Sequence, residues 1–465
     1  MSLNVDVAII GAGTAGLTAF KQVRQITTNV VLINDGPYGT TCARVGCMPS
    51  KVLIEVAKKF ARRQHFTQFG IQNSDNLSIN RAQVMQYVRN LRDWFVARVM
   101  DSVDQIGEKN ISGRARFIEP QVLEVNGEKI YAHQVIIATG SRPIVPPDWY
   151  SFGDQVITTD QFFELADLPD AIAIIGLGAI GSEIGQSLAR LGVKVVGIEQ
   201  QTQVCGLTDP AVNQIAINEF SQEFDLWLGT FAQLAATESG QIQVTTTDGH
   251  SVTVDKVLAA LGRRPNIDNL GLEVFGLDLS SGLNQLINPH TMQLGDLPLF
   301  VAGDVASLRP ILHEVADEGA IAGYNAARAT VTAFKRRVPL RIAFTDPQVV
   351  IVGATLAELA GQDIVIGERS FVVQGRTKVM ARTHGHLRIY ADRHSGQLLG
   401  AEMMIPDGEY VGHFLALAME QNLTVQDIML TPFYHPTVME GLENALSAIV
   451  AQLDGEATGL SLQKV

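Results

Sequence analysis

Two glycine-rich turns constrain the fold of this chain more than any other feature of its sequence. The first, Gly11 to Gly16, follows an apolar run at residues 5–10 and precedes a helical pattern and a second apolar run. The second, Gly176 to Gly181, stands in the same context within residues 172–199. In such a unit the first glycine permits a tight turn, the second lets the backbone approach a pyrophosphate, and the third lets the helix pack on the strand. One copy is weak evidence, but two copies predict two doubly wound dinucleotide-binding units.

The pattern outside these turns divides the chain into further segments. Prolines near residue 145 mark a linker, and beyond residue 337 strands of alternating polarity are interspersed with helices. That alternation is typical of an antiparallel α+β domain. We therefore predict an α/β protein with two Rossmann-like nucleotide-binding domains and a C-terminal α+β domain. The segments are residues 1–145, which contain the first nucleotide-binding unit, residues 146–273, which contain the second, residues 274–336, and residues 337–465, which form the C-terminal domain.

Composition narrows the classes of function. The formal net charge of −13 argues against nucleic acid or an anionic membrane surface as a partner. No apolar run reaches the roughly 18 residues needed to cross a bilayer, and we interpret the apolar N-terminal segment as a buried strand rather than a signal peptide. Three cysteines are too few for a disulfide scaffold. Two of them are close in sequence, which indicates redox chemistry and a cytoplasmic location.

An acidic residue at the end of the second strand of each unit should bind the ribose of the nucleotide. Glu199 stands at this position in the second unit. Its carboxylate would accept hydrogen bonds from the ribose hydroxyls and repel a 2′-phosphate, which favours NAD over NADP. In the first unit the position is taken by Asn34, and Asp35 follows it. Either residue could contact the ribose.

The cysteine pair Cys42 and Cys47 is separated by five positions. In an ideal helix such residues have Cα atoms about 8–9 Å apart, whereas a disulfide requires about 7 Å or less. The pair can therefore close only if the helix start is distorted, and Gly46 is the residue that permits this. Two unpaired buried thiols are the alternative interpretation. No second pair of ligands has zinc-like spacing, so no metal site is predicted, and Cys205 is interpreted as structural.

Eight motifs in register extend the pattern over nearly the whole chain. They are GAGTAG (11–16), CARVGCMPSK (42–51), ATGSRP (138–143), GLGAIGSE (176–183), GRRPN (262–266), FVAGD (300–304), FTDPQVVIVG (344–353) and HPTVMEGL (435–442). With these motifs the sequence resembles the pyridine nucleotide–disulfide oxidoreductases, and among them the dihydrolipoamide dehydrogenases. The resemblance implies an enzyme in which FAD is bound by a first nucleotide-binding domain made of residues 1–145 and the returning segment 274–336. NAD is bound by the second nucleotide-binding domain, and a homodimer is formed by the C-terminal domain.

The resemblance also implies a set of cofactor-binding residues. For FAD they are Gly11, Gly13, Gly16, Asn34, Asp35, Thr41, Ala115, Thr139, Gly140 and Asp304, the last of which should bind the ribityl chain. For NAD they are Gly176, Gly178, Gly181, Glu199 and Gly262.

Six residues carry catalysis by the same resemblance. Cys47 should face the flavin and Cys42 should exchange with substrate, while Lys51 should lie near the flavin N5 and pair with Glu183. His435, held by Glu440, should act as the base, because a histidine beside a carboxylate is a competent base near neutral pH. In this family the histidine serves the cysteines of the other subunit, so the active site should be shared within the dimer. The implied reaction converts dihydrolipoamide and NAD⁺ into lipoamide and NADH, with a lipoyl group on an acyltransferase complex as one candidate substrate.

Three positions depart from the usual dihydrolipoamide dehydrogenase pattern. Ala43-Arg44 replaces Leu-Asn, Phe433 replaces a second histidine, and Asn34 replaces an acid. The first two are expected to border the substrate channel. They leave open a reductase of another small or protein disulfide, and a flavoprotein redox sensor of low turnover. A mercuric-ion reductase is disfavoured because those enzymes lack the His-Pro pair and carry a C-terminal cysteine pair.

Overall fold

The computed structural model describes residues 3–453 and residue 462. This part of the chain forms two compact units. Unit 1 consists of residues 3–49, 88–144 and 262–337, and unit 2 consists of residues 50–87, 145–261 and the described residues from 338 onward. The chain returns to unit 1 at residue 262, before the predicted boundary at residue 273, because the strand Arg263–Pro265 pairs with Ser141–Pro143. The domain boundaries drawn from the sequence stay a prediction.

Unit 1 is built on a seven-stranded sheet. Its parallel part has the strand order Asn110–Ser112, Val30–Asn34, Leu3–Ile10, Glu128–Ile137, Leu299–Val301. An antiparallel extension, Val122–Val125 and Ala115–Glu119, pairs with the start of the fourth of these strands. Val7, Ala8 and Ile9 are fully buried, as expected of a central parallel strand covered on both faces. The helices Thr14–Val23 and Leu312–Ala326 pack against this sheet.

The nucleotide-binding part of unit 2 repeats this architecture. Its five-stranded parallel sheet has the order Asp225–Leu228, Lys194–Glu199, Ala171–Ile175, Lys256–Ala259, Val156–Ile157. The helices of this part are Thr159–Phe162, Ala179–Arg190 and Pro210–Ser221. A small antiparallel sheet is formed by Ala232–Ala236, Ile242–Thr246 and Ser251–Val254.

The C-terminal part of unit 2 is an antiparallel sheet covered by helices. The strand order is Leu340–Ala343, Gln348–Gly353, Leu398–Ile405, His386–Asp392, Ile364–Ser370. The helices are Gly375–Val379, Gly408–Glu420, Val425–Met429 and Met439–Val450. The predicted fold class, two doubly wound units followed by an α+β region, is confirmed.

Three further α-helices of the described chain are Thr41–Val45, Cys47–Ala61 and Arg81–Asp104, and short 3-10 helices occur in the connections. The helix Cys47–Ala61 begins in unit 1 and continues into unit 2. None of the helices within residues 3–453 is both long enough and apolar enough to span a membrane.

Candidate active site

The first glycine loop brings a helix N-terminus close to a strand end. Gly11 has a φ of 111°, and a Cβ there would lie 2.2 Å from the carbonyl oxygen of Ala138. A Cβ on Gly16 would lie 1.8 Å from the carbonyl oxygen of Gly11. Gly13 precedes the helix Thr14–Val23 and has no neighbouring atom within 4 Å of a built Cβ. Two glycines therefore permit close packing, and the third leaves the start of the helix open.

A cavity of about 530 Å³ opens in front of this loop, within unit 1. The predicted FAD residues that line it are Gly11, Gly13, Asn34, Asp35, Thr41, Ala115, Thr139 and Gly140. Gly16 lies behind the loop, in the packing contact with Gly11. Asp304 accepts a 2.6 Å hydrogen bond from the hydroxyl of Ser141, which itself lines the cavity. The structure thus brings residues from distant parts of the sequence to one cavity.

The second glycine loop has the same local geometry. Gly176 has a φ of 98°, and a Cβ there would lie 2.4 Å from the carbonyl oxygen of Ala260. A Cβ on Gly181 would lie 1.9 Å from the carbonyl oxygen of Gly176, while Gly178 at the helix start is open. Gly262 lies beyond the strand Lys256–Ala259 and has a φ of 95°.

Asn34 and Glu199 occupy equivalent places in the two loops. Oδ1 of Asn34 accepts a 3.2 Å hydrogen bond from the backbone N–H of Ala12, and Oε2 of Glu199 accepts a 2.7 Å bond from the N–H of Leu177. In each unit the donating N–H belongs to the residue after the first glycine of the loop. The accepting side chain belongs to the last residue of the second strand of that unit. Asp35 instead pairs with Arg114 at 3.7 Å, in an exposed position. The geometry therefore favours Asn34 as the counterpart of the usual acid.

The cysteine segment consists of two helices interrupted at one residue. Cys42 lies in the helix Thr41–Val45, and Cys47 starts the helix Cys47–Ala61. Between them Gly46 has non-helical angles, φ −127° and ψ −114°. A Cβ at Gly46 would lie 3.1 Å from the carbonyl oxygen of Thr41 and 3.3 Å from Cα of Cys42. The distortion expected at Gly46 is present, and the absence of a side chain there allows the close approach.

Lys51 and Glu183 form an ion pair in unit 2. Nζ of Lys51 lies 2.9 and 2.8 Å from the two carboxylate oxygens of Glu183, whose side chain is only 5% exposed. The same carboxylate accepts a 2.7 Å hydrogen bond from the N–H of Phe344, and the ring of Phe344 lies 4.8 Å from the ammonium. A buried carboxylate requires such partners to remain charged. The lysine is thereby held in one orientation.

His435 and Glu440 form a second pair in unit 2. Nδ1 of His435 lies 2.7 Å from Oε1 of Glu440, and Oε2 accepts a 2.8 Å bond from the N–H of Thr437. The bond from His435 and that from Thr437 lower the pKa of Glu440, so the group is a carboxylate at neutral pH. Because a carboxylate only accepts, Nδ1 carries the hydrogen and Nε2 is the proton acceptor. The imidazole is 81% exposed in the single chain.

Comparison with known proteins assigns the chain to a family. The model for pyridine nucleotide-disulphide oxidoreductases matches residues 5–330, and the model for the dimerisation domain of that family matches residues 340–446. The chain is a pyridine nucleotide-disulphide oxidoreductase. The dimerisation domain supports a homodimer.

Several relatives of this oxidoreductase carry the same name. Dihydrolipoyl dehydrogenase of Halobacterium salinarum is 30% identical over 98% of this chain and 99% of its own length. The enzyme of the same name from Thermus scotoductus is 30% identical over 96% and 98%. Among solved structures, LpdA from Mycobacterium tuberculosis matches with a TM-score of 0.83 and 23% identity over 96% of this chain and 99% of that one. The HOCl-induced flavoprotein disulfide reductase RclA from Escherichia coli matches with a TM-score of 0.81 and 23% identity over 95% and 99%.

The oxidoreductase is therefore an NAD-dependent enzyme of the dihydrolipoyl dehydrogenase type that acts on sulfur groups and uses FAD and NAD. The residues of unit 1 fit FAD, because an open helix N-terminus and a cavity wall with arginines suit a dinucleotide pyrophosphate. Within residues 3–453 and 462, no cluster of three or more histidine, cysteine or acidic side chains could hold a metal ion.

Several residues of the oxidoreductase were not assigned a role from the sequence, although their motifs were recognised. Ser141 and Arg263 both contact Asp304, at 2.6 and 3.8 Å, and Phe344 holds Glu183 through its backbone. The motifs ATGSRP, GRRPN and FTDPQ mark these positions, but only the structure gives the contacts within each unit.

Proposed function

We propose that this oxidoreductase moves electrons between NAD(H) and a dithiol or disulfide through the Cys42–Cys47 pair, and that its substrates are dihydrolipoamide and NAD⁺. The observation that carries the proposal is the 2.7 Å contact between His435 and Glu440. Oxidation of a dithiol needs a base at the substrate, and this pair supplies one with its Nε2 exposed. Similarity to dihydrolipoyl dehydrogenases over 98% of the chain supports the choice of substrate.

The sulfur chemistry follows from the two cysteines. A substrate thiol gives its proton to His435, and the resulting thiolate attacks the sulfur of Cys42 in the Cys42–Cys47 disulfide. That bond breaks, Cys47 leaves as a thiolate, and a mixed disulfide joins substrate to Cys42. The second substrate thiol releases its proton to solvent and attacks the substrate sulfur of the mixed disulfide, and Cys42 leaves with the proton held by His435, which releases the substrate as a disulfide. Cys47 starts a helix, and a helix N-terminus stabilises a thiolate.

The base is proposed to come from the partner subunit. His435 is 81% exposed in the single chain and lies in the segment that matches the dimerisation domain. A base so exposed can serve a second chain. Glu440 keeps the imidazole in the tautomer that accepts a proton at Nε2, and it stabilises the cation that forms.

The electron pair leaves the sulfur through the cofactors. Closure of the Cys42–Cys47 disulfide from the Cys47 thiolate and the Cys42 thiol would release two electrons and one proton. FAD held by the residues of the unit 1 cavity would supply the electron acceptor for this closure and NAD⁺ the final hydride acceptor, so that a dithiol and NAD⁺ give a disulfide, NADH and H⁺. Lys51 is proposed to lie beside the flavin, with its ammonium oriented by Glu183. Glu183 keeps that ammonium from rotating away, because both of its oxygens contact Nζ.

The nucleotide sites are proposed from the two loops. FAD would occupy the cavity of unit 1, with its pyrophosphate at the start of the helix Thr14–Val23 and its ribose near Asn34. NAD would bind at the second loop, where Glu199 receives the ribose hydroxyls. Residues 200–209 contain no lysine or arginine that could bind a 2′-phosphate, which supports NAD rather than NADP.

A reductase of another disulfide is the second candidate. The observation that favours it is Phe433, which packs against the C-terminal core at the position of a usual second histidine. An apolar side chain two residues before the base could suit a substrate other than lipoamide. RclA, described as a flavoprotein disulfide reductase, shares the fold.

An anaerobic rate comparison tests the proposal. The purified holoenzyme is given dihydrolipoamide with NAD⁺, and separately NADH with lipoamide, glutathione disulfide and a small-protein disulfide. We expect kcat/KM for the lipoyl substrates to exceed every other by at least about tenfold, which corresponds to about 1.4 kcal/mol. Turnover of another disulfide alone would favour the second candidate. Failure to oxidise or reduce any of these by an enzyme that retains FAD would refute the function.

A further inference from the structure

Arg44 stands two residues after Cys42, at one of the positions where the sequence departs from its relatives. From the sequence, this position is expected to border the substrate channel. The structure instead includes Arg44 in the wall of the cavity in unit 1, together with Gly11, Gly13 and Thr41. The stem of Arg44 lies over Gly39, where a Cβ would be 3.3 Å from both Cγ and Cδ. The side chain is therefore part of the cofactor cavity.

The charges of the cavity wall do not balance. Among the residues that the structure describes, three arginines and two aspartates line it. Arg114 pairs with Asp35, and Arg142 pairs with Asp268 and donates a 2.7 Å bond to Asn266. Arg44 alone of the three has no carboxylate partner and no side-chain hydrogen bond within residues 3–453 and 462. One positive charge is thus left for a ligand.

We infer that Arg44 binds the pyrophosphate of FAD and is a cofactor-binding residue rather than a determinant of the disulfide substrate. The inference rests on the proposed FAD site. The pyrophosphate is dianionic and is expected at the open helix start beside Gly13 on the same wall. Asn34, in place of an acid, removes a negative charge from this wall, so both departures make the cavity more favourable for an anion. A guanidinium can contact two phosphate oxygens at once.

FAD release from the holoenzyme tests the inference without any turnover. Arg44→Asn and Arg44→Lys are compared with wild type by following the rise in flavin fluorescence after dilution, at ionic strengths of about 0.01 M and 0.1 M. Between these the Debye length falls from about 30 to about 10 Å. Arg24→Asn, which removes an exposed arginine from the end of the helix Thr14–Val23 outside the cavity wall, is the matched control.

We expect Arg44→Asn to release FAD roughly ten- to hundredfold faster than wild type, as for loss of a hydrogen bond to a charged group. The lysine variant should recover part of this, and the effect of salt on release should be smaller in Arg44→Asn than in wild type. Arg24→Asn should behave as wild type. The melting temperature of each apoprotein distinguishes loss of FAD contact from loss of folding, since only the holoenzymes should differ.

Unchanged FAD release in Arg44→Asn, with an altered KM for the disulfide substrate, would overturn the inference and return Arg44 to the substrate channel. A lower melting temperature of the Arg44→Asn apoprotein with no salt-dependent FAD effect would also overturn it. If wild type turns over no dithiol or disulfide but Arg44→Asn still loses FAD as expected, the proposed function fails and the inference stands.

Discussion

Nδ1 of His435 lies 2.7 Å from Oε1 of Glu440, while the second oxygen of this carboxylate is held by the N–H of Thr437. The backbone bond orients the carboxylate, and the carboxylate orients the imidazole. The six residues from His435 to Glu440 thus contain the base together with the carboxylate and the backbone N–H that orient it.

Replacement of Glu440 by glutamine should lower kcat for dihydrolipoamide by about 10²-fold, within the range of general acid–base effects. Glutamine can present its amide to the imidazole but provides no charge to stabilise the imidazolium. The pKa of Glu440 is lowered by its bonds from His435 and Thr437, so the carboxylate is present at every pH above its normal range. The decrease in kcat of Glu440→Gln should therefore persist from about pH 6 to pH 9. Steady-state kinetics across that range check it, with Glu443→Gln on the same helix as the control. A loss confined to low pH would contradict this role.

Removal of Lys51 should destabilise the protein by about 2 kcal/mol, because Glu183 would then be buried without its cation. The double variant Lys51→Met/Glu183→Gln should be more stable than Lys51→Met, since it no longer buries an unpaired charge. Lys59→Met provides the control on the same helix, because the pair of Lys59 with Glu55 is exposed and worth little. Thermal unfolding of wild type and the three variants ranks their stabilities. Equal melting temperatures for the single and double variants would contradict the account.

Asp346 should make the protein sensitive to acid. Burial alone would raise its pKa, but Arg382 at 2.7 Å and Arg190 at 3.2 Å lower the pKa to about 2. A carboxyl whose pKa is lower in the folded state stabilises the fold above its unfolded pKa of about 3.9, and this contribution is lost as pH falls toward 2. Its size is on the order of 2 kcal/mol.

The comparison of wild type with Asp346→Asn tests this acid dependence. The stability difference should be full above about pH 4 and shrink toward pH 2, measured by urea unfolding at each pH. Asp363→Asn, at an exposed pair with Arg393, should show little difference at any pH. A difference between wild type and Asp346→Asn that is constant with pH would be inconsistent with the Asp346 assignment.

Restoration of the usual acid at position 34 should not strengthen FAD binding. Nδ2 of Asn34 donates a 2.8 Å bond to the carbonyl of Gly36, and the carboxylate of Asn34→Asp would face that oxygen without a hydrogen. We expect FAD to bind about tenfold more weakly, as for an unsatisfied polar contact. Asp35→Asn should have a smaller effect if Asn34 is the ribose residue. If an FAD titration shows a larger loss of affinity for Asp35→Asn than for Asn34→Asp, the ribose contact belongs to Asp35.

The sequence predicts the nucleotide loops well because their requirement is local. Gly11, Gly16, Gly176 and Gly181 face backbone atoms within a few residues or across one strand, so strand, turn and helix patterns suffice to locate them. The distortion at Gly46 is predictable for the same reason, since two cysteines with this spacing could not close a disulfide within a regular helix.

Contacts between distant residues are not predictable in this way. Lys51 and Glu183 are separated by 132 positions, and their pairing follows from a family resemblance rather than from any pattern. The environment of Arg44 is a more telling case, because the sequence places it next to Cys42 and suggests the substrate channel. Only the folded chain shows that the cavity wall contains this arginine and that its two neighbouring arginines are already paired.

The most direct test of the central claim is dithiol turnover by Cys42→Ser. The holoenzyme of this variant should retain FAD but lose NADH formation from dihydrolipoamide and NAD⁺. Cys205→Ser is the matched control and should retain it, since burial raises the pKa of the Cys205 thiol to about 12 and prevents thiolate chemistry. Wild-type rates in Cys42→Ser would contradict the claim that electrons pass through this cysteine pair.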